Sequence, residues 1–189
     1  RYEIEVKREP LAGLIMLDGH VALRYGAGLP THYSIVGICM KLEPLLSYYA
    51  TLEAPLEIGT TPFGTRMIVE VTGGELTGEK LKGKFRSLAA ADWLTMTEGY
   101  GHLDVRATIE THDGAFIYLE YFGKLELTDG VKAALAGEGD TDYGDQYFMT
   151  SPRMQTGDPR YQWVNNIVCV SEGRLRGGRV EYNVYQVVN

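Results

Sequence analysis

The chain has 189 residues, of which 44% are hydrophobic and 23% charged, and these values are ordinary for one soluble globular domain. Its formal net charge of −7 argues against nucleic acid and against an anionic membrane surface as partners, because both attract clustered Lys and Arg. The longest apolar run near the start, residues 11–17, is too short to span a bilayer, and no signal-peptide layout surrounds it.

Strand and turn patterns dominate the chain from its first residues. Residues 2–6 alternate polar and apolar side chains, and Asp18-Gly19 predicts a hairpin between residues 14–17 and 21–25. From residue 49 onward, apolar strands and turn signals recur at short spacing, which is typical of a sandwich or barrel. The remaining predicted strands are residues 66–71, 76–85, 93–98, 102–111, 115–122, 161–170 and 179–187.

Glycines shape several of these predicted strands. Gly78 and Gly83 are expected to bend or bulge the strand at 76–85, and Asp113-Gly114 is expected to close the hairpin between 102–111 and 115–122. No repeat, linker or low-complexity segment is present, so residues 1–189 are interpreted as a single domain.

One short helix interrupts the strands. Residues 129–136 combine an acidic first turn with good helix formers, and Gly137 follows as a C-terminal stop. The acidic loop at residues 137–145 only superficially resembles a calcium loop. It lacks the glycine at the sixth position and the bidentate glutamate at the twelfth, so we predict no calcium site there.

Few cysteines and histidines limit the chemistry that the chain can offer. Its two cysteines, Cys39 and Cys169, form neither a disulfide framework nor a metal-ligand spacing. We therefore expect two reduced, buried thiols in a cytoplasmic protein. The four histidines also fall at no metal-ligand spacing, so we expect neither a metal nor another cofactor.

The predicted strand at residues 102–111 carries the most informative pattern. Its odd-numbered positions from 103 to 109 are apolar and share one face, while Asp104, Arg106 and Thr108 share the other. A small closed barrel fills its inside with side chains or one small ligand. An acid and a base on a face that such a barrel encloses are costly unless paired, and chemistry often occurs there. The pattern predicts a β-barrel with a polar-lined pocket, and a structural Asp104–Arg106 ion pair stays open as the alternative.

Further polar and aromatic side chains could line the same pocket. They are Arg66, Asp92, Trp93, Tyr118, Arg153, Trp163 and Asn165. Structural explanations also exist: Arg66 could pair with Glu70 on its own strand face, and tryptophans are more often core residues than ligand platforms. Trp163 and Asn165 are predicted to share one face of the strand at 161–170.

A series of short phrases, taken in order, is similar to a known protein family. The phrases are TPFGTR (61–66), GG (73–74), LKG (81–83), ADW (91–93), LDVR (103–106), DGAFIY (113–118), YFMTSPR (147–153), TG (156–157) and YQWVN (161–165). No single phrase is specific, but the series from about residue 42 to 187 resembles the domain-of-unknown-function family 3237 of small bacterial and fungal proteins. Ala107 stands where the family commonly has Tyr.

The resemblance implies an all-β fold, with residues 41–189 forming an antiparallel β-barrel of the calycin-like or allene-oxide-cyclase-like type. Residues 1–40 are an N-terminal extension outside the pattern. The resemblance also implies a homo-oligomer. The family's general function is unassigned, but some fungal relatives belong to polyketide pathways, where such proteins are thought to close cyclic ethers on phenolic substrates. That relationship is an analogy at the level of the fold.

These features favour a cofactor-independent enzyme of secondary metabolism. It would act on a small hydroxylated aromatic or polyketide-like compound by cyclisation, isomerisation or addition. Asp104 or Asp92 would exchange a proton, while Arg106, Arg66 or Arg153 would stabilise a phenolate or carbonyl oxygen. The remaining candidates would bind the substrate: Tyr118, Trp93, Trp163 and Asn165.

Two alternatives stay open. The first is a non-catalytic barrel that carries or senses a small apolar molecule, and the second is a structural protein whose barrel is filled by its own side chains. The sequence also does not distinguish which of the two aspartates is the acid.

Overall fold

The computed structural model describes residues 14–17, 20–23 and 40–189. The chain divides into two compact units, Arg1–Cys39 and Met40–Asn189. The boundary lies where the family resemblance begins, and the interpretation of residues 1–189 as one domain stays a prediction.

In the first unit, strand β1 (Leu14–Leu17) pairs antiparallel with β2 (His20–Leu23). The two strands are separated by two residues, as expected for a hairpin closed by Asp18-Gly19. Those two turn residues, the predicted strand at 2–6 and Cys39 lie outside the described residues.

The second unit is built on one antiparallel sheet of eleven strands. The strands are β3 (Lys41–Leu52), β4 (Leu56–Thr61), β5 (Gly64–Gly73), β6 (Glu75–Gly78), β7 (Gly83–Asp92), β8 (Thr95–Thr97), β9 (Tyr100–Thr111), β10 (Phe116–Glu126), β11 (Phe148–Gln155), β12 (Val168–Arg176) and β13 (Arg179–Val188). Helix α1 (Asp129–Leu135) precedes β11, and a 3₁₀ helix (Gln162–Asn166) precedes β12.

The sheet closes on itself. The circuit runs β10-β11-β12-β13-β3-β6-β7-β9, and a long β9–β10 ladder joins its two ends. Strand β5 pairs with β3, β7 and β8, and β4 pairs with β5. The predicted all-β antiparallel barrel with one short helix is therefore confirmed.

Helix α1 forms where its sequence signals place it. The Thr128 hydroxyl accepts a hydrogen bond from the Val131 N–H at 3.2 Å, which caps the first turn, and Val131 is completely buried. Within the part of the chain that is described, no helix is long and apolar enough to cross a membrane.

Alternation along β9 and β10 decides what the barrel encloses. Leu103, Val105, Ala107 and Ile109 of β9 are at most 7% exposed and point inward, while the residues between them face outward. Aromatic rings from four other strands fill much of the interior: Tyr48, Tyr121, Phe148 and Tyr182. The inner side of the barrel is thus a packed core of side chains.

Two predicted strands differ from the structure. Residues 76–85 form two strands, β6 and β7, because the chain turns between Gly78 and Gly83. Residues 161–167 were expected to be extended but form the 3₁₀ helix and its connection, and strand β12 starts only at Val168.

The 3₁₀ helix has a local cause. The Tyr161 N–H donates to the Asp158 carbonyl at 3.1 Å, and the Val164 N–H donates to the Tyr161 carbonyl at 3.0 Å. These successive turns satisfy the backbone locally, so the segment does not join the sheet. The prediction that Trp163 and Asn165 share a strand face is therefore wrong.

Candidate functional site

Asp92 is the last residue of β7 and lies on the inner side of the barrel wall. It pairs in register with Val105 of β9, which pairs in turn with Tyr121 of β10. Val105 and Tyr121 both point inward, so Asp92 joins the same layer of side chains. Asp92 is only partly buried, so solvent still reaches it.

The surroundings of Asp92 favour its protonated form. The pKa of the Asp92 carboxyl is raised to about 6, mainly by burial and to a smaller extent by the nearby Asp104 charge. Two contacts oppose this: the Asp104 N–H donates to Asp92 Oδ1 at 2.9 Å, and the Arg66 charge lowers the pKa. Because desolvation is the largest contribution, Asp92 holds and releases a proton close to neutral pH.

Three buried tyrosines lie in the barrel interior, and two of them, Tyr121 and Tyr182, are close enough to feel the charge of this carboxyl. The Tyr182 ring lies 4.8 Å from the Tyr48 ring and 5.8 Å from the Tyr121 ring, measured between centroids. Burial raises the pKa of all three phenols well above the usual value, and the Asp92 charge adds to this for Tyr121 and Tyr182. The phenols are therefore neutral, and the Tyr48 hydroxyl has no hydrogen-bond partner among the described residues.

Asp104 and Arg106 lie on the opposite, outer face of the barrel wall. Arg106 Nη1 is 3.0 Å from Asp104 Oδ1, and the two side chains are 43% and 32% exposed. The guanidinium carbon of Arg106 is 5.1 Å from the Trp93 ring centroid, which is cation–π distance. The expectation that a barrel encloses this pair is wrong, because the apolar residues of β9 occupy the inner face.

The outer face continues as a row of charged and phenolic side chains. Arg106, Glu120 and Arg153 are register neighbours on β9, β10 and β11. Arg153 Nη1 lies 3.4 Å from Glu120 Oε1, and the Tyr118 hydroxyl donates to Glu120 Oε2 at 3.0 Å. The structure therefore groups Tyr118 and Arg153 with Arg106, but on a solvent-facing surface.

Arg66 lies on β5 close to the same end of β7. Its Nη1 donates to the Trp93 carbonyl at 2.5 Å, and no Arg66–Glu70 ion pair occurs among the described residues. Arg66 thus holds the backbone next to Asp92 and contributes positive charge there. Because the tethered carbonyl belongs to Trp93, Arg66 also fixes the backbone position of that tryptophan.

Trp163 and Asn165 lie apart from these residues, on the 3₁₀ helix. Asn165 Oδ1 accepts from the Thr156 N–H at 2.8 Å, and Asn165 Nδ2 donates to the Thr156 carbonyl at 3.0 Å. This double hydrogen bond fastens the segment that follows β11. Trp163 is half-buried against the core, which matches its structural interpretation. Asn165 shares an open groove of about 630 Å³ with Arg153.

Sequence reasoning missed the interior tyrosines. Tyr48, Tyr121 and Tyr182 alternate with outward residues in their strands, and this period-two pattern makes them inward-facing. The pattern alone does not separate a phenol that lines a site from one that only fills the core. The distinguishing signal is the register that brings Tyr121 beside Val105 and Asp92.

Other reactive groups contribute little to this site. Burial raises the pKa of the Cys169 thiol to about 11, so it is not an activated nucleophile. Among residues 40–189, no group of three or more His, Cys, Asp or Glu side chains is arranged to hold a metal ion.

A family model described as "Protein of unknown function (DUF3237)" matches residues 40–187, almost the whole barrel unit. The chain belongs to the DUF3237 family. Its curated relatives include UPF0311 proteins of Rhodopseudomonas palustris strain TIE-1 (35% identical over 136 residues, 70% of this chain and 84% of the relative) and of Clostridium acetobutylicum (29% over 133 residues, covering 69% and 84%).

Solved structures also align with this DUF3237 chain. A β-barrel-like protein from Acinetobacter baumannii is 34% identical, with a TM-score of 0.67 and coverage of 79% of this chain and 96% of that one. A protein of unknown function from Rhodopseudomonas palustris is 29% identical, with a TM-score of 0.71 and coverage of 79% and 98%. An enzyme from Penicillium herquei is 17% identical, with a TM-score of 0.57 and coverage of 86% and 99%, which shows a shared fold alone.

Proposed function

We propose that this DUF3237 barrel is an acid/base enzyme that acts on a small hydroxylated aromatic or polyketide-like compound. Asp92 is the proton-transfer group in this proposal. The observation that carries it is the position of Asp92, a partly buried residue on the inner side of the wall whose carboxyl pKa is raised to about 6. A group with a pKa near the working pH takes up and returns protons efficiently, and such groups cluster at active sites.

The reaction class follows from what one carboxyl and nearby cations can do. In an intramolecular addition, the Asp92 carboxylate takes the proton of a substrate hydroxyl. The oxygen of that hydroxyl attacks a carbon–carbon double bond that is conjugated to a carbonyl in the same substrate. The new C–O bond places negative charge on the conjugated carbonyl oxygen, and Asp92 then returns the proton to carbon. The product has the mass of the substrate, as in the cyclisation or isomerisation predicted from sequence.

Neighbouring residues have distinct roles in this proposal. Arg66 stabilises the developing oxyanion, since its guanidinium lies at the Trp93 carbonyl and its charge acts on Asp92. Arg106 lies on the outer face, where it packs against the Trp93 ring and is a positioning residue. Trp93 offers a flat surface for an aromatic substrate. Asp104 keeps the pKa of Asp92 high through its charge and is a positioning residue.

The tyrosine-filled interior limits where a substrate can lie. Tyr121 and Tyr182 fill the barrel interior beside Asp92. In this proposal the substrate therefore approaches from the partly exposed end of β7, formed by Asp92, Trp93 and Leu94. The Penicillium herquei neighbour is described as an enzyme, so a barrel of this fold can host catalysis. At 17% identity that likeness concerns the fold, and the proposal rests on Asp92.

The test is a product screen with matched aspartate variants. The protein is incubated with phenolic compounds that carry a conjugated carbonyl, and chromatography with mass detection follows any product of unchanged mass but new retention or chirality. With a hit in hand, Asp92→Asn is expected to lower kcat by a factor of about 10²–10⁴. Asp129→Asn, at the exposed start of α1, is the control and leaves kcat unchanged.

The outcomes separate enzyme from carrier. Wild-type kcat is expected to rise with pH and level off above about 6, the pKa of the Asp92 carboxyl. Saturable binding without any product across the panel would favour the small-molecule carrier instead. Turnover that survives Asp92→Asn, in a variant with an unchanged circular dichroism spectrum, contradicts the role given to Asp92.

A further inference from the structure

An exposed apolar surface runs across strands β10, β11 and β12 on the outside of the barrel. We call it the β10–β12 face, and its residues are Phe122, Lys124, Met149, Ser151, Val170 and Glu172, with Tyr185 of β13 at its edge. They line an open groove of about 820 Å³. Phe122 is 61% exposed and Met149 is 40% exposed. Large apolar side chains grouped in this way often mark an interface.

Strand register arranges the charges of this face in a line. Lys124 lies opposite Met149, and Met149 lies opposite Glu172, so the cation and the anion flank one methionine on three adjacent strands. Since neighbouring strands are about 4.8 Å apart, Lys124 and Glu172 lie about 10 Å from each other across Met149.

Neither charge is neutralised by an opposite charge in the described part of the chain. Lys124 Nζ contacts His102 Nδ1, which offers no negative charge. Glu172 Oε1 accepts from the Tyr185 hydroxyl at 2.7 Å and from Asn183 Nδ2 at 3.4 Å, both neutral donors. Every ion pair found in residues 40–189 involves other residues. As far as residues 40–189 are concerned, the face therefore carries one cation and one anion without an opposite charge beside its apolar centre.

We propose that the β10–β12 face is an interface that binds the same face of a second copy of this chain. A two-fold axis that runs along β11 above Met149 exchanges the two sides of the face. It places Lys124 of each copy opposite Glu172 of the other. In the neighbouring row, it places Phe122 of each copy opposite Val170 of the other, because Val170 lies on the Glu172 side of β11.

Self-complementarity selects a second copy over an unrelated partner. A two-fold interface uses one patch twice, so the patch must carry both members of every contact. This face supplies a cation and an anion on the two strands that flank Met149, and Phe122 and Val170 on the same two strands. Stacked sheets with nearly aligned strands are a common packing arrangement. The proposal concerns assembly and does not depend on the function proposed for Asp92.

The test reverses the two charges separately and together in the full chain. Lys124→Glu brings two carboxylates together twice in the dimer, and Glu172→Lys brings two ammonium groups together twice. Each single variant is expected to weaken dimerisation by at least tenfold in sedimentation velocity across a concentration series. The double variant Lys124→Glu/Glu172→Lys restores opposite charges and is expected to recover most of the dimer.

A phenylalanine pair supplies the control. Phe122→Asp puts a charge into the proposed interface and is expected to yield monomers. Phe63→Asp makes the same change in the 82% exposed turn between β4 and β5 and is expected to leave the dimer intact. Circular dichroism of each variant confirms that the barrel is folded.

Three results would overturn the proposal. They are a wild-type chain that is monomeric at every concentration, single charge reversals that leave dimerisation unchanged, and a double reversal that fails to restore what the singles lost.

Discussion

Two aspartates on adjacent strands of this barrel show how solvent decides the role of a carboxyl group. Asp92 and Asp104 are in direct contact, since the Asp104 N–H donates to Asp92 Oδ1 at 2.9 Å. Asp92 lies on the inner side of the wall, where burial raises its pKa to about 6. Asp104 lies on the outer face beside Arg106, with 32% of its side chain exposed. The same carboxyl chemistry therefore gives a group with a raised pKa on one face and a surface ion pair on the other.

The two faces also differ in how they stabilise the fold. The inner face combines buried rings such as Tyr182 and Phe148, whose centroids are 5.2 Å apart, with apolar side chains of β9. Burial of such surface is the main stabilising contribution to folding. The outer face carries ion pairs such as Arg153–Glu120 at 70% and 26% exposure, and pairs of this kind contribute about 0–1 kcal/mol.

The largest expected effect compares one tyrosine from each face. Tyr182→Ala removes a 1% exposed ring that contacts three other aromatic rings, and it is expected to lower the free energy of unfolding by about 3–5 kcal/mol. Tyr118→Ala removes a 36% exposed ring and is expected to cost less than about 1 kcal/mol. Urea denaturation of both variants checks this, and equal losses would break the distinction between the faces.

The pH dependence of stability gives the next largest effect. The pKa of Asp92 rises from 3.8 when unfolded to about 6 when folded, so the folded state holds this proton more tightly. The contribution of Asp92 to the free energy of unfolding is therefore fully present below about pH 4, and it is lost as the pH rises from about 4 through about 6. A shift of about two units corresponds to about 3 kcal/mol.

Asp92→Asn isolates that contribution. Relative to wild type, the variant is expected to gain about 3 kcal/mol of stability between pH 4 and pH 7.5, because asparagine does not ionise. Urea denaturation at four pH values in this range measures the difference. If the difference in unfolding free energy between wild type and variant stays constant with pH, the pKa of Asp92 is the same in the folded and unfolded states, which contradicts this prediction.

The smallest expected effects test how strongly the charge of Asp104 influences the pKa of Asp92. Asp104→Asn is expected to cost less than about 1 kcal/mol of stability, because its ion pair with Arg106 is exposed. It also removes the negative charge that raises the pKa of Asp92, so that pKa is expected to fall. Arg66→Gln removes a positive charge and is expected to raise it. Movement of the Asp92 titration in the same direction for both variants would contradict this account.

Local patterns predicted much of the fold. The alternation from Leu103 to Ile109, the hairpin closed by Asp113-Gly114 and the helix at Asp129–Leu135 each depend on neighbouring residues, and each is found in the structure. The strand predicted at residues 161–167 is wrong. Alternation there is compatible with a strand, but backbone hydrogen bonds between Asp158, Tyr161 and Val164 form turns instead.

The candidate site was less predictable for a physical reason. Alternation shows that Asp104 and Val105 lie on opposite faces but not which face the barrel encloses. The burial of Val105 and Ile109 places Asp104 outside. Asp92 sits at a strand end, where its inward direction depends on register with β9. That pairing is long-range, so no local pattern around residues 91–93 reveals it.

The central claim is that the inner position of Asp92 makes it a proton-transfer group near neutral pH. The most direct measurement is a carbon-13 NMR titration of the aspartate carboxyl carbons in the wild-type chain. The Asp92 resonance is identified by its loss in Asp92→Asn. This account predicts a midpoint at about pH 6. A midpoint at or below the ordinary aspartate value of about 3.9 would contradict it.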